Sequence, residues 1–148
     1  RMVAAGITVG LGTDGPASNN NLDMFGEMNS AAKIHKAAQL DPTATAAETV
    51  LEMATLHGAA LLGAAKTIGS LEPGKKADLI VLDMNQPHLT PLYSIPSHLV
   101  YGARGSDVIH SVINGAIVMR DRQLLTLDEE AILAATGDLA RQLQDSSA

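Results

Sequence analysis

The run Gly6-Ile7-Thr8-Val9-Gly10 leads straight into Leu11-Gly12-Thr13-Asp14-Gly15-Pro16, so a carboxylate stands at the end of what the pattern predicts to be a buried strand over 7–12. This order restricts the fold more than any other feature. A strand that is apolar on both faces needs a layer on each side, the arrangement of α/β proteins. In an α/β barrel the residues just past each strand line the functional mouth. Asp-Gly-Pro is also the composition of a solvated turn, and the residues alone leave both readings of Asp14 open.

Composition favours packed layers. Hydrophobic residues fill 46% of the 148 positions and aromatics only 2%, so a core must be built from Ala, Leu, Ile, Val and Met. That suits helices on a sheet and not a stacking platform for nucleic-acid bases. The formal net charge of -6 argues against nucleic acid or an anionic membrane surface as partner. Without cysteine there is neither a disulfide framework nor a thiolate metal site, which is compatible with a cytoplasmic location. The sequence shows no signal peptide and no membrane-spanning run.

Helical patterning surrounds the predicted strand. Arg1-Met2-Val3-Ala4-Ala5-Gly6 has the form of a helix end stopped by a C-cap glycine. After the Asp14 loop, Met24, Met28, Ala31, Ala32, Ile34, Ala38 and Leu40 recur at helical spacing until Asp41-Pro42. Thr45-Ala46-Ala47-Glu48 has capping-box spacing and predicts a second helix carrying Val50, Leu51, Ala54, Leu61 and Leu62, ending near Gly63.

From Ile68 the texture turns to short β segments. Leu71-Glu72-Pro73-Gly74 reads as a turn, Ala77 to Leu82 as an apolar strand, and Pro87, Pro91 and Pro96 mark an extended connection. Val108 to Ile113 and Ala116 to Met119 flank Asn114-Gly115, a pair suited to the positive φ angles of a type I′ hairpin. Together these predict a small β-sandwich. Thr126-Leu127-Asp128-Glu129 offers another capping box, for a terminal helix with Ala131, Ile132, Leu133, Leu139 and Leu143 on its stripe, fraying at Asp145-Ser146-Ser147.

The remaining conspicuous side chains read as structural. His35, His57, His88, His98 and His110 include no His-x-His, no His-Glu-x-x-His and no other close ligand spacing. His57, in an alanine-rich stretch, reads as a packing or capping residue, and His98 as an anchor near a domain junction. Lys75-Lys76 reads as a solvated turn, because the glycines around it do not form a P-loop. Asn19-Asn20-Asn21 either lines a pocket mouth or satisfies backbone groups in its loop.

Gly12-Thr13-Asp14-Gly15-Pro16-Ala17-Ser18-Asn19-Asn20 running into Leu22-Asp23-Met24-Phe25-Gly26-Glu27-Met28 resembles the last barrel strand and loop of the amidohydrolase superfamily. The likeness continues through Gly69-Ser70-Leu71-Glu72-Pro73-Gly74-Lys75-Lys76-Ala77-Asp78-Leu79-Ile80-Val81, Pro87-His88-Leu89-Thr90-Pro91, Ser97-His98-Leu99-Val100-Tyr101 and Val112-Ile113-Asn114-Gly115. Within the superfamily it is similar to the 5'-methylthioadenosine/S-adenosylhomocysteine deaminases and the related chlorohydrolases.

The resemblance implies an α/β fold: the last strand and helices of a metal-dependent (β/α)8 barrel, then part of a small β-sandwich domain, then a C-terminal helix. The corresponding divisions are residues 1–66, 67–126 and 127–148. It implies that Asp14 is at once a metal ligand, a catalytic proton acceptor and a contact to substrate. One divalent metal, with zinc expected, would take its other ligands, histidines, from outside this chain, and a general-acid Glu would lie there too. Glu27 and Glu48 are not substitutes, since both fall on predicted helices after the strand.

The chain is thus expected to be the C-terminal third of an enzyme that removes the amino group of a purine-nucleoside-like small molecule with water. Its expected partners are the N-terminal part of the same enzyme and another copy of the chain, with no nucleic acid and no membrane. A related amidohydrolase acting on another amino- or chloro-substituted heterocycle is the alternative. So is a non-catalytic assembly module, inactive in isolation.

Overall fold

In the computed structural model, which describes residues 2–146, a 3-10 turn at Val3–Ala5 closes on Gly6. Gly6 has φ 74° and gives its N–H to Val3 O, the left-handed cap expected of that glycine. Residues 7–15 then run without sheet pairing, so the strand predicted over 7–12 is not formed as a ladder among the described residues. The reason is physical: a strand exists by its hydrogen-bonded neighbours, and the four strands of this chain pair with one another elsewhere. One backbone bond, Leu11 N–H to Met53 O at 3.1 Å, ties the segment to the helices.

A one-turn helix, α1 (Pro16–Asn19), follows Asp14, and α2 (Met24–Gln39) follows that. The Asp23 carboxylate starts α2 by accepting the Phe25 N–H at 2.9 Å. Leu40, in the left-handed conformation, ends it just before Asp41-Pro42. The face of α2 that is buried is Phe25, Met28 and Ala32, while Ile34 is 63% exposed and Leu40 92%.

Two corrections concern the next segment. Thr45 has φ 50° and makes no cap; α3 (Ala47–Ala54) begins from Ala46 without a side-chain bond, so the capping box at Thr45–Glu48 does not form. The single helix expected to Leu62 is also broken at Thr55 (φ -128°, ψ -88°) into α3 and α4 (Leu56–Leu61). Gly69 (φ 93°) lies against that break, where an added Cβ would come within 2.7 Å of Ala59 Cβ and 3.2 Å of Thr55 O. Only glycine lets the returning chain pass so closely.

Beyond Gly69 the turn at Glu72–Lys75 closes with Lys75 N–H to Glu72 O at 3.1 Å and Gly74 at φ 92°, and leads to β1 (Leu79–Leu82). The connection marked by prolines is not extended throughout. Pro87–Leu89 is a 3-10 turn and Pro96 sits in the first turn of α5 (Ile95–Tyr101), where a missing N–H costs nothing.

Strands β2 (Val108–Ile113) and β3 (Ala116–Arg120) form the predicted hairpin, with Ile113 opposite Ala116 and both turn residues at positive φ, Asn114 at 50° and Gly115 at 80°. With β4 (Gln123–Leu124) they make one antiparallel sheet in the order β1-β2-β3-β4. A second sheet to complete a sandwich is not present among the described residues.

The last helix, α6 (Glu129–Ser146), starts from Asp128, whose carboxylate accepts the Ala131 N–H at 3.0 Å, and not from a box at Thr126. It is regular through Ser146, so the fraying expected at Asp145-Ser146 does not occur, and Ser147 falls outside the described residues. No residue of α6 is buried, and Leu133 is 66% exposed.

One core holds these parts together: Phe25, Met28 and Ala32 of α2, Ala47 and Val50 of α3, Leu89, Val100 and Ala103 around α5, and Val108 at the start of β2. Asp107, the one buried charged side chain among the described residues, joins that core to the sheet. Its backbone carbonyl accepts from Asp83 N–H at 2.9 Å, and its carboxylate meets His88 Nε2 at 3.0 Å and Arg104 N–H at 2.8 Å. Burial pushes the Asp107 carboxyl up, but the His88 bond and the Arg104 N–H outweigh it and hold the group below the ordinary value.

Amide hydrogen exchange on the 148-residue chain checks this arrangement. The amides of α2 around Ala32 should be the slowest and those of Thr8 to Gly10 fast, with Leu11 a protected exception. Strong protection throughout 7–12 would reveal a strand partner that this fold does not contain.

Candidate active site

Three local contacts bring Asp14 to its place. An added Cβ on Gly10 would lie 2.9 Å from Leu61 Cδ1 and 3.3 Å from Gly58 Cα, so glycine there lets the chain lie directly on α4. Leu11 is bonded to Met53 O at the end of α3. Asp14 itself then adopts φ 57°, a left-handed conformation that Asp tolerates better than most residues. The reversal turns the backbone from the 7–13 segment into α1, with Pro16 in the first turn.

Within the loop the carboxylate is held at both oxygens. Gly15 N–H donates to Oδ1 at 2.7 Å and the Ser18 hydroxyl donates to Oδ2 at 2.6 Å. The Ser18 bond first, and the Gly15 bond second, hold the Asp14 carboxyl below its ordinary value. The group is exposed and ionised at neutral pH. Two acceptor sites remain on its oxygens, because a carboxylate offers about four.

A divalent cation could use such hard oxygens, and the chemistry of Asp14 fits one ligand of a metal site. It is not a complete site. Among the described residues no group of three or more His, Cys, Asp or Glu side chains is placed to hold a metal ion. Two open clefts of about 390 and 410 Å³ lie elsewhere, one beside Asn29, Lys33 and Arg104 and one beside Val9, His35 and Asp41, and neither is lined by Asp14. Asp14 is exposed on the surface of this chain.

Three of the histidines have contacts away from Asp14. His98 places Nδ1 2.8 Å from Ser94 O and Nε2 3.0 Å from Pro91 O, which pins the loop before α5. His88 serves Asp107, and His57 lies in α4 with Nε2 3.9 Å from Glu52.

Asn19, for which two roles were open, satisfies a backbone group: its Nδ2 donates to Thr13 O at 2.9 Å, and also to Glu27 Oε1 at 2.7 Å. Sequence reasoning missed Ser18 and Glu27 as neighbours of this loop. The four-residue spacing from Asp14 to Ser18 could have signalled the first, since one helical turn lies between them. The second depends on how α1 meets α2.

The sequence and the fold match a known class. The profile of the amidohydrolase family covers residues 1–118, and this chain belongs to that family. Over 144 residues it is 55% identical to a 5-methylthioadenosine/S-adenosylhomocysteine deaminase of Syntrophobacter fumaroxidans, covering 97% of this chain and 33% of that protein. A 5'-deoxyadenosine deaminase of Methanosarcina mazei is 48% identical over 143 residues, with 97% and 33% covered. Among solved structures, an adenosine deaminase from Xanthomonas campestris with bound zinc superposes with a TM-score of 0.89 at 41% identity, over 98% of this chain and 32% of that one. The chain spans about a third of the length of the curated relatives it matches.

The bonds around Asp14 predict a pH effect. Its folded carboxyl lies below the ordinary value, so the contribution of these bonds is present above that value and is lost as pH falls through the folded one. Ser18→Ala should move the Asp14 carboxyl upward toward the ordinary value in an NMR titration of side-chain carboxyl shifts. An unchanged titration would show that the hydroxyl does not hold the charge.

Proposed function

We propose that this chain is the C-terminal third of a metal-dependent deaminase that hydrolyses the 6-amino group of an adenine nucleoside, releasing ammonia. The observation that carries the reading is the Asp14 carboxylate, ionised, exposed and held at both oxygens, in a chain of the amidohydrolase family. The three relatives named above are deaminases whose names give substrates that all contain adenosine or 5'-deoxyadenosine. What those substrates share is the adenine ring; what differs is the group at the 5' carbon. The reacting end is therefore common, and the 5' end is where relatives diverge.

Asp14 would be one ligand of a divalent metal, zinc on the example of the Xanthomonas structure, with the other ligands and a ring-protonating acid on the remaining polypeptide. When bound, such a metal supplies Lewis acidity that brings a water within reach of deprotonation near neutral pH. Asp14 accepts that proton and passes it to the departing nitrogen, while the water oxygen joins the ring carbon and the carbon–nitrogen bond breaks. Its depressed carboxyl keeps it an acceptor before the step. Ser18 and Gly15 keep the two oxygens oriented throughout.

The division at residues 1–66, 67–126 and 127–148 is part of the same proposal, as are a cytoplasmic setting and assembly with further polypeptide. The shared core supports assembly of the first two segments, because α5 packs on both α2 and α3. Among the described residues no helix is long and apolar enough to cross a membrane.

Two measurements test the reading. The 148-residue chain, loaded with zinc and dialysed, should retain far less than one equivalent, since zinc sites take three or four protein ligands; stoichiometric retention would contradict it. In the intact enzyme, Asp14→Asn should leave circular dichroism unchanged and lower adenosine deamination by about 100-fold or more. Turnover near wild type would reduce Asp14 to a turn residue.

A further inference from the structure

The bonds that Asp14 makes with Gly15 and Ser18 stay inside its own loop, so they orient the carboxylate without fixing the loop on the protein. A different side chain makes that connection. Asn19, half-buried at the end of α1, gives its Nδ2 to Thr13 O on one side and to Glu27 Oε1 on the other. Both neighbours are acceptors, which settles the amide's orientation: turned over, Oδ1 would face a carbonyl and a carboxylate. Thr13 immediately precedes Asp14. Glu27 lies in the first turn of α2, between the core residues Phe25 and Met28.

We propose that Asn19 and Glu27 form a positioning strut that holds the Asp14 carboxylate at the reaction centre by tying its loop to the first turn of α2. This inference rests on the reading of Asp14 given above. Glu27 makes no hydrogen bond to Asp14 and acts through Asn19 as a fixed acceptor. Its carboxylate makes the bond charge-assisted, which suits a joint between a loop and a rigid helix. A carboxylate that shifts by a fraction of an ångström loses both metal coordination and proton transfer, while contacts made to substrate by other residues are untouched.

The test uses the intact zinc-loaded enzyme and two readouts: steady-state deamination of adenosine, and the zinc dissociation constant from competition with a chelator. Glu27→Leu and Asn19→Ala each break the strut. Both should lower kcat and weaken zinc binding by about 10–100-fold, the usual effect of removing a group that orients a metal ligand, with KM little changed. Glu27→Gln keeps an acceptor at the same place and should recover most of both losses, as a general loosening of the fold would not allow.

Because Glu27 borders the core, Asn19→Ala on the loop side decides the matter should Glu27→Leu not fold. Wild-type kcat and zinc affinity in Asn19→Ala, alongside an Asp14→Asn variant that loses both, would overturn the strut and leave the role of Asp14 standing. Asp14→Asn that keeps both would instead remove the reading on which the strut depends.

Discussion

Everything that places the functional loop depends on apolar contact among α2, α3 and α5. Val50, Leu89 and Val100 are fully buried in that contact, and Ala32 lets α2 approach closely enough to share it. Each large side chain so buried contributes roughly 1.5–3 kcal/mol relative to exposure. The effect is more than stability. With α2 seated, Asp23 caps it and Glu27 is presented to Asn19; with α3 seated, Met53 O is in place for Leu11 N–H. Asp14 is the last link of a chain that starts in the core.

The other surfaces have a different character. Leu62 and Leu133 are largely exposed, the sheet has a single layer, and the segment before Asp14 has backbone groups that no ladder satisfies. A chain that spans a third of its relatives' length accounts for these faces if the remaining polypeptide covers them, as the proposed function requires. The same asymmetry explains the candidate site. One carboxylate, Asp14, is well held, and among the described residues no group of three or more His, Cys, Asp or Glu side chains is placed to hold a metal ion beside it.

What could be read from sequence was what is decided locally. Asn114-Gly115 specifies its hairpin through two positive φ angles, and Gly6 its cap through one. The start and end of α2 follow from Asp23 and from Asp41-Pro42. Tertiary contact decided the rest. Thr45 and Glu48 have the spacing of a capping box, yet the approach of the chain sets Thr45 at φ 50° and leaves Ala46 as the cap. Pro87, Pro91 and Pro96 suggested an extended connection, but a proline in the first turn is as much at home in a helix, and Pro87 and Pro96 each sit in one. The segment over 7–12 forms no ladder among the described residues, since the four strands of this chain pair with one another. The turn at Asp14 was legible through Asp14-Gly15-Pro16 and its place after an apolar run. Ser18 and Glu27 were not, since their relation to Asp14 exists only once α1 has folded and α2 is docked.

The proposed function requires that this segment deliver one carboxylate, Asp14, to a metal centre completed by other polypeptide. Anomalous diffraction at the zinc edge, from crystals of the intact enzyme, measures this most directly. The account predicts one strong peak about 2.0–2.2 Å from an Asp14 carboxylate oxygen, the usual zinc–carboxylate distance, with the remaining ligands from residues outside this chain. A peak coordinated without Asp14, whose side chain then faces solvent from a simple turn, would contradict it.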